Sequence, residues 1–248
     1  MSLKVPYLTE AAIEASATAL LAAYARKQGI EIRPPVPVEE ILEDHLGLHL
    51  GFDDLCSRLG KPDVLGALWI EDGEVLIDQT LDPDEQPSAL GRYRFTVAHE
   101  VGHWELHRRH LEFQRLQDDL FKERSEPSIV CRTSQQKERI ELQADAFAGA
   151  LLMPRDAVAD RWCRLIGPER LEVGQLCDRG RAAMAEALSR RGRGSIDPRA
   201  QQNELIEFAL RPMAKAFKVS PRAMRIRLER LGCIVRDVDA TVPLFGAG

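Results

Sequence analysis

Two histidines four residues apart, His99 and His103, with Glu100 directly after the first, are the residues of this 248-residue chain best suited to chemistry. On a helix, positions i and i+4 share one face, so both imidazoles can reach a single metal ion. Glu100, beside the first ligand, can meet a water at that ion without displacing anything. The reaction such a set performs is hydrolysis. The ion acidifies a water and polarises a carbonyl, and the carboxylate acts as general base.

A catalytic zinc site takes three protein ligands and keeps one position open, so a third ligand must come from elsewhere. The metzincin spacing would put Gly at 106 and His at 109, where this chain has Leu106 and Arg109. His107 and His110 are near in sequence, but His107 lies two turns, about 12 Å, from His99 on one helix. A second helical run, Ile140-Glu141-Leu142-Gln143-Ala144-Asp145, puts Glu141 and Asp145 on one face. Glu141 can be the third ligand. Asp145 can accept a hydrogen bond from a ligand histidine and set its tautomer. Tyr93, His107 and His110 are all candidates for a donor to the oxyanion.

The elements that must position these groups can be read from periodicity. Thr9 caps a first helix whose Ile13, Ala17, Leu20, Leu21 and Tyr24 follow helical spacing, ending near Gly29. Leu48 to Phe52 and Leu65 to Ile70 read as strands. The Asp72-Gly73 pair predicts a hairpin back into Val75 to Ile77. The strand Leu65 to Ile70 or its hairpin partner could bind an extended peptide through an open edge, with Ala67 and Trp69 as the positions to test. Ser88 to about Arg109 reads as the motif helix, with Phe95, Ala98, Gly102 and Leu106 forming an apolar stripe. Gln135 to Met153 reads as the second, carrying Ala144, Phe147 and Leu151, and Pro154 stops it. His110 to Ser134 between them reads as part helix, part surface loop, with Cys131 inside it; a thiolate masking the metal is conceivable there. Strands early and helices late give an α+β class.

The segments Arg94-Phe95-Thr96-Val97-Ala98-His99-Glu100-Val101-Gly102-His103, Glu141-Leu142-Gln143-Ala144-Asp145-Ala146-Phe147-Ala148 and Leu151-Leu152-Met153-Pro154 together resemble the ImmA/IrrE metallopeptidases. These are gluzincin-like enzymes with a zincin-like core. The resemblance implies one zinc ion held by His99, His103 and Glu141, with Glu100 catalytic. It also implies site-specific cleavage of a helix-turn-helix repressor or antitoxin-like partner in stress response or mobile-element control. It covers about Val64 to Pro154 and a second stretch near the C-terminus. The rival function is a regulator that binds DNA or a repressor and has a structural or silent zinc site.

The net charge of −5 gives no whole-chain electrostatic argument for nucleic acid or an anionic membrane. Locally the balance differs: residues 179–230 hold thirteen Lys/Arg against five Asp/Glu. There Leu210 to Gly232 reads as helix, turn, helix, with Ser220 as cap and Pro221 at the first helical position. Arg222, Arg225 and Arg227 could meet phosphates as a helix-turn-helix, or stay solvated while Met224, Leu228 and Leu231 dock. The expected organisation is a metallopeptidase domain over 1–170, a basic helical connector over 171–198 with a Gly/Arg-rich break at 190–195, and a helix-turn-helix-like segment over 199–248. Five dispersed cysteines without a C-x-x-C pair suggest a reducing compartment, each thiol acting as a small buried hydrophobe. The run from Ala15 to Ala25 is too short and too interrupted to span a bilayer. A cytoplasmic protein without membrane contact is expected.

Overall fold

The helix bracketed by Thr9 and Gly29 forms as expected. α1 (Glu10–Gln28) starts where the Thr9 hydroxyl accepts from the Ala12 amide at 3.2 Å and stops at Gly29 with φ +67°, and it buries the five apolar residues of its stripe. The computed structural model describes residues 5–118, 127–132, 138–188 and 198–235. The chain divides into two units, Met1–Leu152 and Met153–Gly248.

In the first unit, α1 is followed by α2 (Val38–Glu40), β1 (His49–Asp53), α3 (Leu55–Leu59), β2 (Val64–Trp69) and β3 (Glu74–Asp78). The Asp72-Gly73 turn forms, with Gly73 at φ +63°, and β2 and β3 pair antiparallel. Next come α4 (Leu90–Asp118), β4 (Ile129–Arg132) and α5 (Arg139–Leu152). The sheet order is β1-β3-β2-β4, with β1 parallel to β3 and β4 antiparallel to β2. One sheet face carries Leu55, Val64, Ala67, Trp69 and Leu76, with Val130 packed on them. A register shift between Val64 and Gly66 brings Val64 onto the same face as Ala67 and Trp69 despite the odd spacing. α4 packs against β2 and against α5, and α1 covers α5.

Two expectations change here. The motif helix does not end near Arg109 but continues to Asp118. The segment with Cys131 is no surface loop: Ile129–Arg132 is a strand of the main sheet, with Ile129 and Cys131 buried. Its short β-branched run alternates inward and outward, a signal hidden by the polar residues around it. The expected starts and breaks at Gln135, Ser125-Glu126 and 190–195 lie outside the described residues.

The second unit contains α6 (Arg155–Leu165), β5 (Leu171–Glu172), α7 (Val173–Leu188), α8 (Pro198–Ala209), α9 (Arg211–Phe217), α10 (Pro221–Arg230) and β6 (Ile234–Val235), with β5 and β6 parallel. α7 and α8 meet closely at Gly180, where a Cβ would stand 2.2 Å from the Leu205 carbonyl. Ser220 caps α10 by accepting from the Ala223 amide at 3.1 Å, and Pro221 opens the helix. Only Arg222 of the three arginines proposed for phosphates is exposed. Arg225 is buried and bonded to Glu207 and Glu229, each at 3.0 Å. Arg227 is buried and donates to the Met153 carbonyl at 2.9 Å. A guanidinium buried and bonded inside the protein is not presented to DNA.

Candidate metal centre

α4 is buried on nearly all sides from Thr96 to His103 because the sheet covers one face and α5 another. Small residues set how closely these layers approach. Gly102 faces Ala144, and a Cβ on it would lie 3.2 Å from the Ala144 Cα and carbonyl and from Phe147. Gly66 of β2 faces Glu100 and Thr96: a Cβ there would stand 2.6 Å from Glu100 Oε1 and 2.8 Å from Thr96 Cγ2. Glycine at 66 is therefore the condition for a carboxylate at 100. Sequence reading did not single out Gly66, since a glycine inside a strand carries no label of what approaches it.

The close α4–α5 packing brings His99, His103 and Glu141 together. His99 Nε2 and His103 Nε2 are 2.9 Å apart, and they stand 3.2 and 3.3 Å from Glu141 Oε2 and Oε1. One ligand atom from each residue falls within a 4.8 Å cluster. Ligands about 2.1 Å from one ion in tetrahedral array stand about 3.4 Å from each other, so the set is nearly the size an ion needs.

Hydrogen bonds behind the cluster aim the lone pairs inward. Asp145 Oδ1 lies 3.0 Å from His99 Nδ1, which makes Nδ1 the protonated nitrogen and leaves Nε2 free. Behind His103 a longer chain runs: His103 Nδ1 to His107 Nδ1 at 3.2 Å, His107 Nε2 to Gln143 Oε1 at 2.9 Å, and Gln143 Nε2 to the Pro6 carbonyl at 3.0 Å. Gln143 donates to Pro6, so its oxygen must accept from His107 Nε2. The bare His107 Nδ1 then accepts from His103 Nδ1, which leaves His103 Nε2 unprotonated toward the cluster. A single polarity, set by a backbone carbonyl ahead of α1, thus turns an unprotonated His103 Nε2 toward the cluster.

For His103 the electrostatics agree with this assignment. Burial pushes the His103 pKa down to about 4, keeping it neutral. Burial would also lower His99, but Cys131, Asp145 and Glu141 around it outweigh burial and push it well up. Burial works to raise the Glu141 carboxyl; the His103 and His99 imidazoles overcome it and hold the group below the usual carboxylate range. This is a pocket that favours a positive charge at its centre. Glu100 differs from its neighbours. It is fully buried, burial raises its pKa to about 8, and neither carboxylate oxygen has a hydrogen-bond partner among the described residues. A buried carboxylate left unsatisfied beside converging ligand atoms fits a site that takes an ion and a water.

Of the candidate oxyanion donors, none stands in the cluster. His107 is seated behind His103 and bonded on both ring nitrogens. Tyr93 is buried seven residues before Glu100, about 10 Å along the helix, and stacks on Phe52 of β1 with centroids 5.5 Å apart. His110 lies a further seven residues past His103 on α4. Gln143 is the member of this hydrogen-bond chain that pattern reading passed over; its i+2 place after Glu141 gave no hint that it reaches His107. Cys131 is also present: one ligand atom each from His99, Glu100 and Cys131 lie within 4.8 Å of one another.

Among the described residues, no helix is long and apolar enough to cross a membrane. No curated protein matches the chain. A family model does match, over residues 84–189, and that stretch contains α4, β4 and α5 with every residue of the cluster. Over these residues the chain is similar to the Peptidase_M78 family, described as the IrrE N-terminal-like domain, which supports its resemblance to the ImmA/IrrE peptidases.

Proposed function

We propose that this protein is a zinc-dependent endopeptidase with a zincin-like core, in which His99, His103 and Glu141 hold one zinc ion and Glu100 is the general base. The observation that carries the reading is Glu100: a fully buried carboxylate with both oxygens unpartnered, beside three converging ligand atoms. A structural site has no use for such a group, because its ligands close the coordination by themselves. The donor set of two imidazoles and a carboxylate suits zinc.

Zinc held by these residues would supply Lewis acidity toward the scissile carbonyl and would bring a water's pKa toward neutrality. Glu100 takes a proton from that water as its oxygen attacks the carbonyl carbon. As the C–N bond breaks, Glu100 returns the proton to the leaving amine. Asp145 and the His107–Gln143 chain keep both imidazoles turned with Nε2 inward throughout. Burial by β2 and α5 keeps bulk water from competing for these hydrogen bonds.

The substrate we propose is a helix-turn-helix repressor or antitoxin-like protein, cleaved at one site in stress response or mobile-element control inside the cytoplasm. Support for this comes from the family resemblance alone. The internal partners of Arg225 and Arg227 argue against the DNA-binding alternative.

New protein N-termini, mapped by mass spectrometry in host cells expressing wild type or Glu100→Gln, with and without DNA damage, test the reading. A small set of termini seen only with the wild type, inside a DNA-binding regulator, is expected. Identical maps at equal protein levels and equal metal content would remove Glu100 from catalysis.

A further inference from the structure

An extended peptide presented to Glu100 would add to β2, the strand whose Gly66 lies directly against that carboxylate. β2 has two edges. β3 takes one, and the other is already taken by a piece of the same chain, β4. It is held antiparallel by Ala67↔Val130 and Leu68↔Ile129. Beyond the ladder, the Ser128 amide donates to the Leu68 carbonyl at 2.8 Å, Ser128 Oγ accepts from the Ile70 amide at 3.1 Å, and Arg132 Nε donates to the Pro62 carbonyl at 3.0 Å.

Register decides which side chain this strand delivers. Gly66 is opposite Cys131, and directly opposed residues project to the same sheet face. The missing side chain of Gly66 points at Glu100, so the Cys131 side chain points to the same place. Val130, next to it, projects to the other face and packs with Ala67 and Trp69. Cys131 is buried and clusters within 4.8 Å with His99 and Glu100. The second, independent sign of a ligand is Glu100 itself, buried and unpartnered at that point.

We propose that Cys131 is a resting-state ligand of the same metal ion, delivered by an internal strand that occupies the edge where substrate would add. This rests on the zinc reading above. A thiolate and an imidazole on one zinc stand about 3.6 Å apart, given bonds of about 2.3 and 2.05 Å. When Sγ binds, its S–H proton passes to solvent and a metal–sulfur bond forms. Two imidazoles, a carboxylate and a thiolate make a closed set of four, with no position for the water that Glu100 would deprotonate. The protein is therefore latent as folded. Activation is the reverse: an incoming strand takes the β2 edge, β4 leaves, and Sγ regains a proton.

Cobalt(II) added to the metal-free, full-length protein tests this directly, because a cobalt–thiolate bond gives a charge-transfer absorption in the near ultraviolet. The wild type should show that band at one cobalt per chain. Cys131→Ser and Cys131→Ala should lose it while still binding one cobalt, although Cys56, Cys163, Cys177 and Cys233 remain. A wild type that binds one cobalt, lost in His103→Ala, without the band overturns the thiolate ligand and leaves the peptidase reading intact. A band that survives in the Cys131 variants overturns it equally. Failure to bind cobalt at all, or binding unchanged by His103→Ala, overturns the metal reading and this inference with it. A second measurement needs no variant: alkylation of Cys131 by iodoacetamide, followed by mass spectrometry, should be blocked by one equivalent of zinc and restored by chelation. Equal labelling with and without zinc would overturn the proposal.

Discussion

Charged and polar side chains are buried in both units of this protein, but to opposite ends. In the second unit, Arg225 meets Glu207 and Glu229, and Arg227 meets a carbonyl. Both guanidinium groups find acceptors inside the fold. In the first unit, the outer nitrogens of the His99 and His103 imidazoles are matched to Asp145 and to His107, the inner nitrogens converge on each other and on Glu141, and both Glu100 carboxylate oxygens are left without a hydrogen-bond partner among the described residues. Burial of a charged group is thus no sign of function by itself. What separates the two regions is whether anything remains unsatisfied and whether those leftovers converge.

The largest effects short of removing a ligand or Glu100 should come from the groups that aim the first unit's imidazoles. Asp145→Ala and Gln143→Leu should each weaken zinc binding about 10- to 100-fold, the usual cost of losing an outer partner of a ligand. Competition with a chromophoric chelator reads this. Gln143→Leu carries the sharper question, since it acts through His107; unchanged affinity would mean the chain back to Pro6 is packing only. Glu100→Gln should lower cleavage by about 100- to 10,000-fold with zinc content unchanged. Loss of zinc in that variant would make Glu100 part of the ligand set instead.

Next in size is Gly66→Ala. The new methyl would overlap Glu100 Oε1 and Thr96 Cγ2, so about 1–3 kcal/mol of stability should be lost, as in other overpacked interiors, and cleavage should fall with it. Urea unfolding and turnover measured together check both. Unchanged turnover would mean the carboxylate has room to move and that β2 does not define its position.

The smallest effects belong to the second unit. Arg225→Ala strands two carboxylates that are about a quarter exposed, so about 1–2 kcal/mol is expected rather than the full cost of a buried break. Arg222→Ala, on the exposed face, should change stability by less than about 0.5 kcal/mol. Neither should alter zinc content. A loss of salt-sensitive DNA binding in Arg222→Ala would blur the contrast by giving the second unit a function of its own.

Local patterns were legible where one face of an element is buried and the other is wet. α1 shows this in its cap, its stripe and its glycine stop, and the β2–β3 hairpin shows it in Asp72-Gly73. α4 was harder because the sheet and α5 enclose it, so its buried residues go round the helix and include His99, Glu100 and His103. The stripe of Phe95, Ala98, Gly102 and Leu106 therefore named only part of its core, and Val97 and Val101 are as deeply buried as Ala98.

By itself, the sequence determined the chemistry available to this protein. Helical spacing alone puts His99 and His103 on one face with Glu100 beside them, because i and i+4 are neighbours on any helix. It also showed Glu141 and Asp145 as a matching pair. Tertiary structure decided everything that depends on two segments meeting. It brought Glu141 Oε2 to 3.2 Å from His99, turned His107 and Gln143 into the support behind His103, required glycine at 66, and moved Cys131 from an apparent loop to a buried strand beside His99 and Glu100. The reason is that periodicity reports which face of an element is apolar, but not which other element covers that face, nor in what register.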